Sequence, residues 1–256
     1  MRPSMSLAVR LAGLLAASAA IGLSLTTPAQ AIANGTPVPE GHYRFSVKLT
    51  MTDIPRPDGS HYNSACSAAL ISPRWIITAG HCFHDVNRNP VSGAVPYSTT
   101  ATVGRADVSG TGGHVVNVVW VQQSPTNDIA LARLDKPVYD VAPLALSDKA
   151  PKVGQVLRIT GWGATDDVNP APGTHLQTGQ VTVSSFTDTT VGVRGYKPLP
   201  TTSACVYDSG APYFLERAHR APLLVSVESF GPDCPHDQEE TTSRVDTILT
   251  WIHQTI

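Results

Sequence analysis

Thr78-Ala79-Gly80-His81-Cys82 is the stretch from which the rest of the chain is read. Its histidine gains meaning from two later segments, Asn127-Asp128-Ile129-Ala130-Leu131 and Asp208-Ser209-Gly210. A serine hydroxyl is a weak nucleophile until an imidazole takes its proton. The imidazole in turn needs a carboxylate to fix its tautomer and stabilise its charge. His81, Asp128 and Ser209 supply these three groups in that chain order. Alone, Asp-Ser-Gly is an ordinary turn sequence. It carries weight only beside Cys205 upstream, Pro212 downstream and the other two segments.

Outward from this core, the first 31 residues read as a secretory leader. Arg2 and Arg10 give a positive start, Leu11 to Leu25 form an apolar run, and Ala29-Gln30-Ala31 offers small residues at a cleavage site. A transmembrane anchor is the rival reading. The run is short for a span and is broken by Ser18, Ser24 and Pro28. Residues 32–256 are enough for a two-lobed β protein or two small domains. Loss of the leader removes two arginines and no acid, so the net charge moves from −2 to −4. This mild acidity, without a basic tract, argues against nucleic acid or a membrane surface as partner. Four cysteines, Cys66, Cys82, Cys205 and Cys234, suit two disulfides in a secreted chain. Nine histidines occur, yet none forms a His-x-x-x-His pair and no Cys-x-x-Cys exists, so no metal site is expected.

Between these landmarks run short β segments: Phe45 to Leu49, Trp75 to Thr78, Val115 to Val119, Ile129 to Leu134, Val156 to Ile159, Val181 to Val183 and Leu223 to Val227. Only the C-terminus has helical spacing. Ile248, Leu249, Ile252 and Ile256 share a face there, with Asp246 as expected N-cap. The proline-bearing stretch Leu134 to Gly154 reads as the link between two halves, with a boundary near residue 145. The pattern is all-β with one closing helix, and periodicity alone leaves sandwich and barrel both open.

Read in order, the landmarks are Ile32-Ala33-Asn34-Gly35, Cys66 with Leu70-Ile71-Ser72, Thr78 to Cys82, and Asn127 to Leu131. Gly161-Trp162-Gly163, Cys205 with Asp208-Ser209-Gly210, Ser229-Phe230-Gly231 and the terminal Trp251-Ile252 segment complete the series. In this the chain resembles trypsin/chymotrypsin-like serine proteases, in a secreted, bacterial-type form, across residues 32–256. The resemblance implies two antiparallel six-stranded β-barrels with a catalytic cleft between them, lobes 32–145 and 146–256, and a C-terminal α-helix. It implies His81 as general base, Asp128 as orienting carboxylate and Ser209 as nucleophile. The backbone N–H groups of Tyr207 and Ser209 would form the oxyanion hole. Ser203, Ala204, Ser229, Phe230, Gly231 and Glu240 would bind substrate, with Ser229 also bonded to Asp128. Asp208 would pair with the α-ammonium of Ile32, released directly by leader cleavage. The implied disulfides are Cys66–Cys82 and Cys205–Cys234. The first closes a loop of about 16 residues, worth roughly 3 kcal/mol in the loop-entropy model.

Two features, Tyr207 and the specificity pocket, depart from the family pattern. Tyr207 stands where relatives have glycine, at an oxyanion donor, so either primed-side specificity is restricted or turnover is impaired. Ser203 and Ala204 at the pocket floor favour apolar side chains. Glu228 and one of Glu239 or Glu240 stand where the family has an apolar residue and glycine, and the preference stays open. A calcium loop is not expected, because Asp107 is the only acid between Gly104 and Asp128.

The expected protein is therefore a monomeric, extracellular serine endopeptidase without cofactor, acting on proteins or peptides and open to protein inhibitors. A protease-fold binding protein is the alternative. An α/β-hydrolase esterase fits poorly, since Tyr207-Asp208-Ser209-Gly210-Ala211 lacks the Gly-x-Ser-x-Gly elbow.

Overall fold

A computed structural model describes residues 32–256; the segment read as a leader lies outside the described residues. After the two-residue β1 (Thr36–Pro37), the first barrel uses β2 (Ser46–Pro55), β3 (His61–Ser72) and β4 (Trp75–Thr78). The short β5 (Gly93–Ala94) precedes β6 (Thr99–Val103), β7 (His114–Gln123) and β8 (Ala130–Leu134). Their order is β7-β6-β2-β3-β4-β8, and β8 pairs back to β7, closing six antiparallel strands. The two-residue β9 (Ala145–Leu146) leads to β10 (Val156–Gly161), β11 (Gln177–Phe186), β12 (Thr190–Lys197), β13 (Pro212–Arg217), β14 (Arg220–Phe230) and β15 (Glu240–Arg244). Here the order is β11-β10-β13-β14-β15-β12, with β12 closing onto β11. Closure leaves no free edge in either ring, which removes the usual template for aggregation. This is the two-barrel architecture that the resemblance implied.

Burial explains the strand sequences. In β7, Val116 and Val118 face inward while Val115 and Val119 face out. A register shift between Val118 and Trp120 then turns both Val119 and Trp120 outward before Val121 returns to the core. In β4, Ile76 and Ile77 are both fully buried, so the strand shows no alternation. Each such side chain contributes about 1.5–3 kcal/mol on burial. The first core cluster takes in Phe214, Leu224 and Val227 from the second barrel together with Ile248 and Ile252, so the two lobes share one apolar seam.

The C-terminus differs from its expected form. Asp246–Ile248 is a 3-10 turn and the α-helix α1 runs Leu249–Thr255, without a side-chain cap at either start. Asp246 is instead engaged by Arg244, whose Nη2 lies 2.7 Å from its Oδ2, and Ile256 is exposed rather than on the buried face. Among the described residues no helix is long and apolar enough to cross a membrane.

Candidate active site

The β4–β8 pairing sets Thr78 opposite Ala130. His81 follows β4 on a 3-10 turn (Gly80–Cys82), and Asp128 precedes β8, so the two meet at one end of the first barrel. Gln123 donates from Nε2 to the carbonyls of Gly80 and Phe83, at 2.9 and 3.1 Å, and fixes that turn. Asn127 donates to the Arg244 carbonyl at 2.7 Å, tying the Asp128 loop to the second barrel. Ser209 arrives from the second barrel. Its carbonyl accepts the Ser67 N–H at 2.9 Å. Thr78 Oγ1 donates to the Ser67 carbonyl at 2.7 Å, and a Cβ on Gly210 would stand 2.0 Å from the Thr78 hydroxyl oxygen. Gly210, at φ +81°, is thus required twice over.

The three groups come together. His81 Nε2 is 2.8 Å from Ser209 Oγ, and His81 Nδ1 is 2.8 Å from Asp128 Oδ2. Asp128 also accepts the His81 N–H at 2.9 Å and the Ser229 hydroxyl at 2.6 Å. Burial alone would raise the Asp128 carboxyl. The hydrogen bonds and charge of His81, joined by Ser229, outweigh it and hold the group below its ordinary value. An ionised Asp128 makes Nδ1 the protonated nitrogen, which leaves Nε2 free to accept from Ser209.

Beside Ser209, Cys205 to Asp208 forms a turn closed by the Asp208 N–H on the Cys205 carbonyl at 2.9 Å. Tyr207 occupies its third position at φ +76°, as a type II turn demands. The Val206 carbonyl accepts the Ala164 N–H at 2.7 Å. A trans peptide is planar with N–H opposed to C=O, so the Tyr207 N–H points away from Ala164. Among the described residues neither that N–H nor the one of Ser209 meets an acceptor.

Asp208 is fully buried and accepts the N–H groups of Gly163 at 2.8 Å and Cys205 at 3.1 Å. The Ile32 backbone nitrogen, on a residue with no exposed surface, is a further donor. Even so, burial, reinforced by the charge of Glu240, pushes Asp208 up to about 7. Both disulfides join the cysteines in the pairs that the resemblance implied.

Ser209 lines two cavities. One of about 190 Å³ holds His81, Tyr62, Arg88 and Tyr207; the other, of about 240 Å³, holds Ala204, Glu228, Ser229, Phe230, Gly231 and Glu240. Ser203, the expected floor, is not in that lining; its Oγ is buried without a partner. Glu240 takes the base instead, its Oε1 accepting the Ala204 N–H at 2.6 Å. Glu239 turns away and bonds Ser184 at 2.6 Å. Gln123, Asn127, Tyr213 and His236 were not singled out from the sequence. Gln123 and Tyr213 arrive through strand pairing that a single sequence does not reveal, His236 arrives on the loop between β14 and β15, and Asn127 is carried in beside Asp128.

The trypsin family profile matches residues 32–252. The chain is 28% identical, over 94% of its length and 85% of the relative's, to glucanase inhibitor protein 2 of Phytophthora sojae. It is 26% identical, over 87% of its length, to transmembrane protease serine 7 of Mus musculus, of which it spans 28%.

Proposed function

The chain belongs to the trypsin family, and on that footing we propose that it is a secreted serine endopeptidase working through an acyl-enzyme. Residues 1–31 would be its leader, and residues 32–256 one peptidase domain whose lobes meet near residue 145. The observation that carries this reading is the run of two 2.8 Å contacts from Ser209 through His81 to Asp128. Ser209 Oγ attacks the substrate carbonyl as its proton passes to His81 Nε2. The imidazolium, held by Asp128, then gives that proton to the leaving amine. Water attacks the acyl group by the same route and frees Ser209.

The oxyanion would be bound by the Ser209 and Tyr207 N–H groups. One such donor is worth about 2.7–4 kcal/mol, so the Val206–Ala164 bond that orients the Tyr207 peptide matters to rate. Phe230 and Gly231 would pair with the substrate backbone as an added strand. Ile32, once its amine is free, would place an ammonium on Asp208 and stabilise the adjoining nucleophile loop. Protein and peptide substrates, and protein inhibitors filling the same cleft, are the partners this site suits.

A second reading is a protease-fold binding protein without turnover. It draws on the similarity to glucanase inhibitor protein 2 and on the strained Tyr207. A fluorophosphonate probe separates the two. The endopeptidase labels as wild type and not as Ser209→Ala, whereas protein beginning at Ile32 that stays unlabelled supports the binding module.

A further inference from the structure

The cavity beside Ser209 contains two carboxyls that a single phenol cannot satisfy. Tyr213 Oη lies 2.7 Å from Glu228 Oε2 and 2.6 Å from Glu240 Oε2. Oxygen–oxygen contacts this short each need a proton, and the phenol has one to donate. One carboxyl therefore carries a proton and donates it to the Tyr213 oxygen, while the other accepts from the phenol. Burial, followed by the charge of Glu240, drives Glu228 well above the carboxylate range; Asp208 and Asp128 add to this and the Tyr213 hydrogen bond opposes it. The geometry requires at least one proton on the pair and leaves room for one negative charge, and both residues are almost wholly buried.

A charge there has a hydrogen-bond donor, the Ala204 N–H on Glu240 Oε1 at 2.6 Å, but no committed cation. Among the described residues no lysine or arginine pairs with Glu228 or Glu240. The group nearest to a counter-ion is His236, which is 7% exposed. Its Nε2 is aimed at Glu240 Oε1 from 3.4 Å, and neither ring nitrogen makes a hydrogen bond. A buried charge without a cation is costly, so the site is incomplete until something fills it. The cavity, about 240 Å³, exceeds the roughly 150 Å³ that accepts a benzene ring.

We propose that Glu228 and Glu240, joined through the Tyr213 hydroxyl, act as one shared-proton pair that selects a cationic side chain, lysine or arginine, for the cavity beside Ser209. This rests on the reading of the cleft as a substrate site. The charge is spread over two carboxyls, so either can carry it, and Ser203 takes no part.

The test uses Ser209→Ala protein beginning at Ile32, so that the pocket is read apart from turnover. Titration calorimetry compares benzamidine with its neutral isostere benzamide. At neutral pH benzamidine binds about ten-fold tighter or more, as a charge-assisted contact implies. Glu228→Gln and Glu240→Gln each keep it, Ser203→Ala keeps it, and the double glutamine variant loses it. Equal binding of the two ligands to the parent protein, binding of neither, or a preference surviving in the double variant overturns the inference. Selective benzamidine binding beside absent fluorophosphonate labelling of wild type removes the endopeptidase reading and leaves this one standing.

Discussion

Gly163 donates its N–H to Asp208 Oδ1 at 2.8 Å, and a Cβ on that glycine would stand 2.2 Å from Asp208 Oδ2. Gly161 is as confined, its Cβ position lying 2.0 Å from Oδ1. The Gly-Trp-Gly motif is thus the wall of a cage around a buried carboxyl that adjoins the proposed nucleophile. Gly163→Ala is expected to cost about 1–3 kcal/mol through overpacking. Activity should fall further than stability does, because Asp208 and Ser209 must move together. Denaturant titration beside kcat measurement checks both.

The Ile32–Asp208 contact makes pH a test of processing. With an amide nitrogen at Ile32, Asp208 stays protonated up to about 7 in the folded chain, whereas an unfolded Asp ionises near about 3.9. The folded state then binds the extra proton, and stability falls as pH rises from about 4 to about 7. A free Ile32 ammonium reverses this. Asp208 is then favoured as the anion, and stability and activity are instead lost in alkali, above the ordinary α-amino value of about 8. Thermal unfolding of Ser209→Ala protein, with and without one extra residue before Ile32, should place the loss of stability in these two separate pH windows. The extended form of the wild type should be nearly inactive; full activity in it would refute the pairing.

Tyr207 combines a strained backbone with a bulky side chain. Its φ of +76° costs a non-glycine residue about 1–2 kcal/mol, which the greater chain entropy of glycine offsets by about 0.4–1 kcal/mol. Tyr207→Gly is therefore expected to be neutral or slightly stabilising. Because Tyr207 lines the cavity that also holds His81, removing its ring should raise kcat/KM for substrates with large residues after the scissile bond. Those with small residues should change little. Paired peptide substrates read this difference.

Asp128 is held by His81 and Ser229 at 2.6–2.9 Å. Asp128→Asn should lower kcat by roughly 10⁴, as expected when the imidazole tautomer is reversed. Ser229→Ala removes one hydrogen bond to a charged group, worth about 1.5–3 kcal/mol, and should have a smaller effect. Comparable losses in the two variants would show that the serine, not the imidazole tautomer, dominates.

Much of this was legible from local chemistry. The His81, Asp128 and Ser209 segments announce themselves because each needs small or apolar neighbours of fixed type. Strands such as Trp75–Thr78 stand out as β-branched runs. β3 does not, because Ser, Ala and Asn populate a strand whose pattern is hidden by burial from Ala65 to Ile71. The terminal helix was legible, but its cap was not, since Arg244, only two residues earlier, takes the Asp246 carboxylate. The pocket was least legible. Whether Glu239 or Glu240 faces inward depends on where β15 begins, and the role of Tyr213 depends on the β13–β14 pairing, which contains two register shifts.

The most direct test of the central claim is rapid quench of protein beginning at Ile32 with a p-nitrophenyl ester, followed by intact-mass and peptide mapping. A burst approaching one product per protein, with the acyl group on Ser209 and none in Ser209→Ala, is the expected result. No burst and no adduct on Ser209 in correctly folded protein would contradict it.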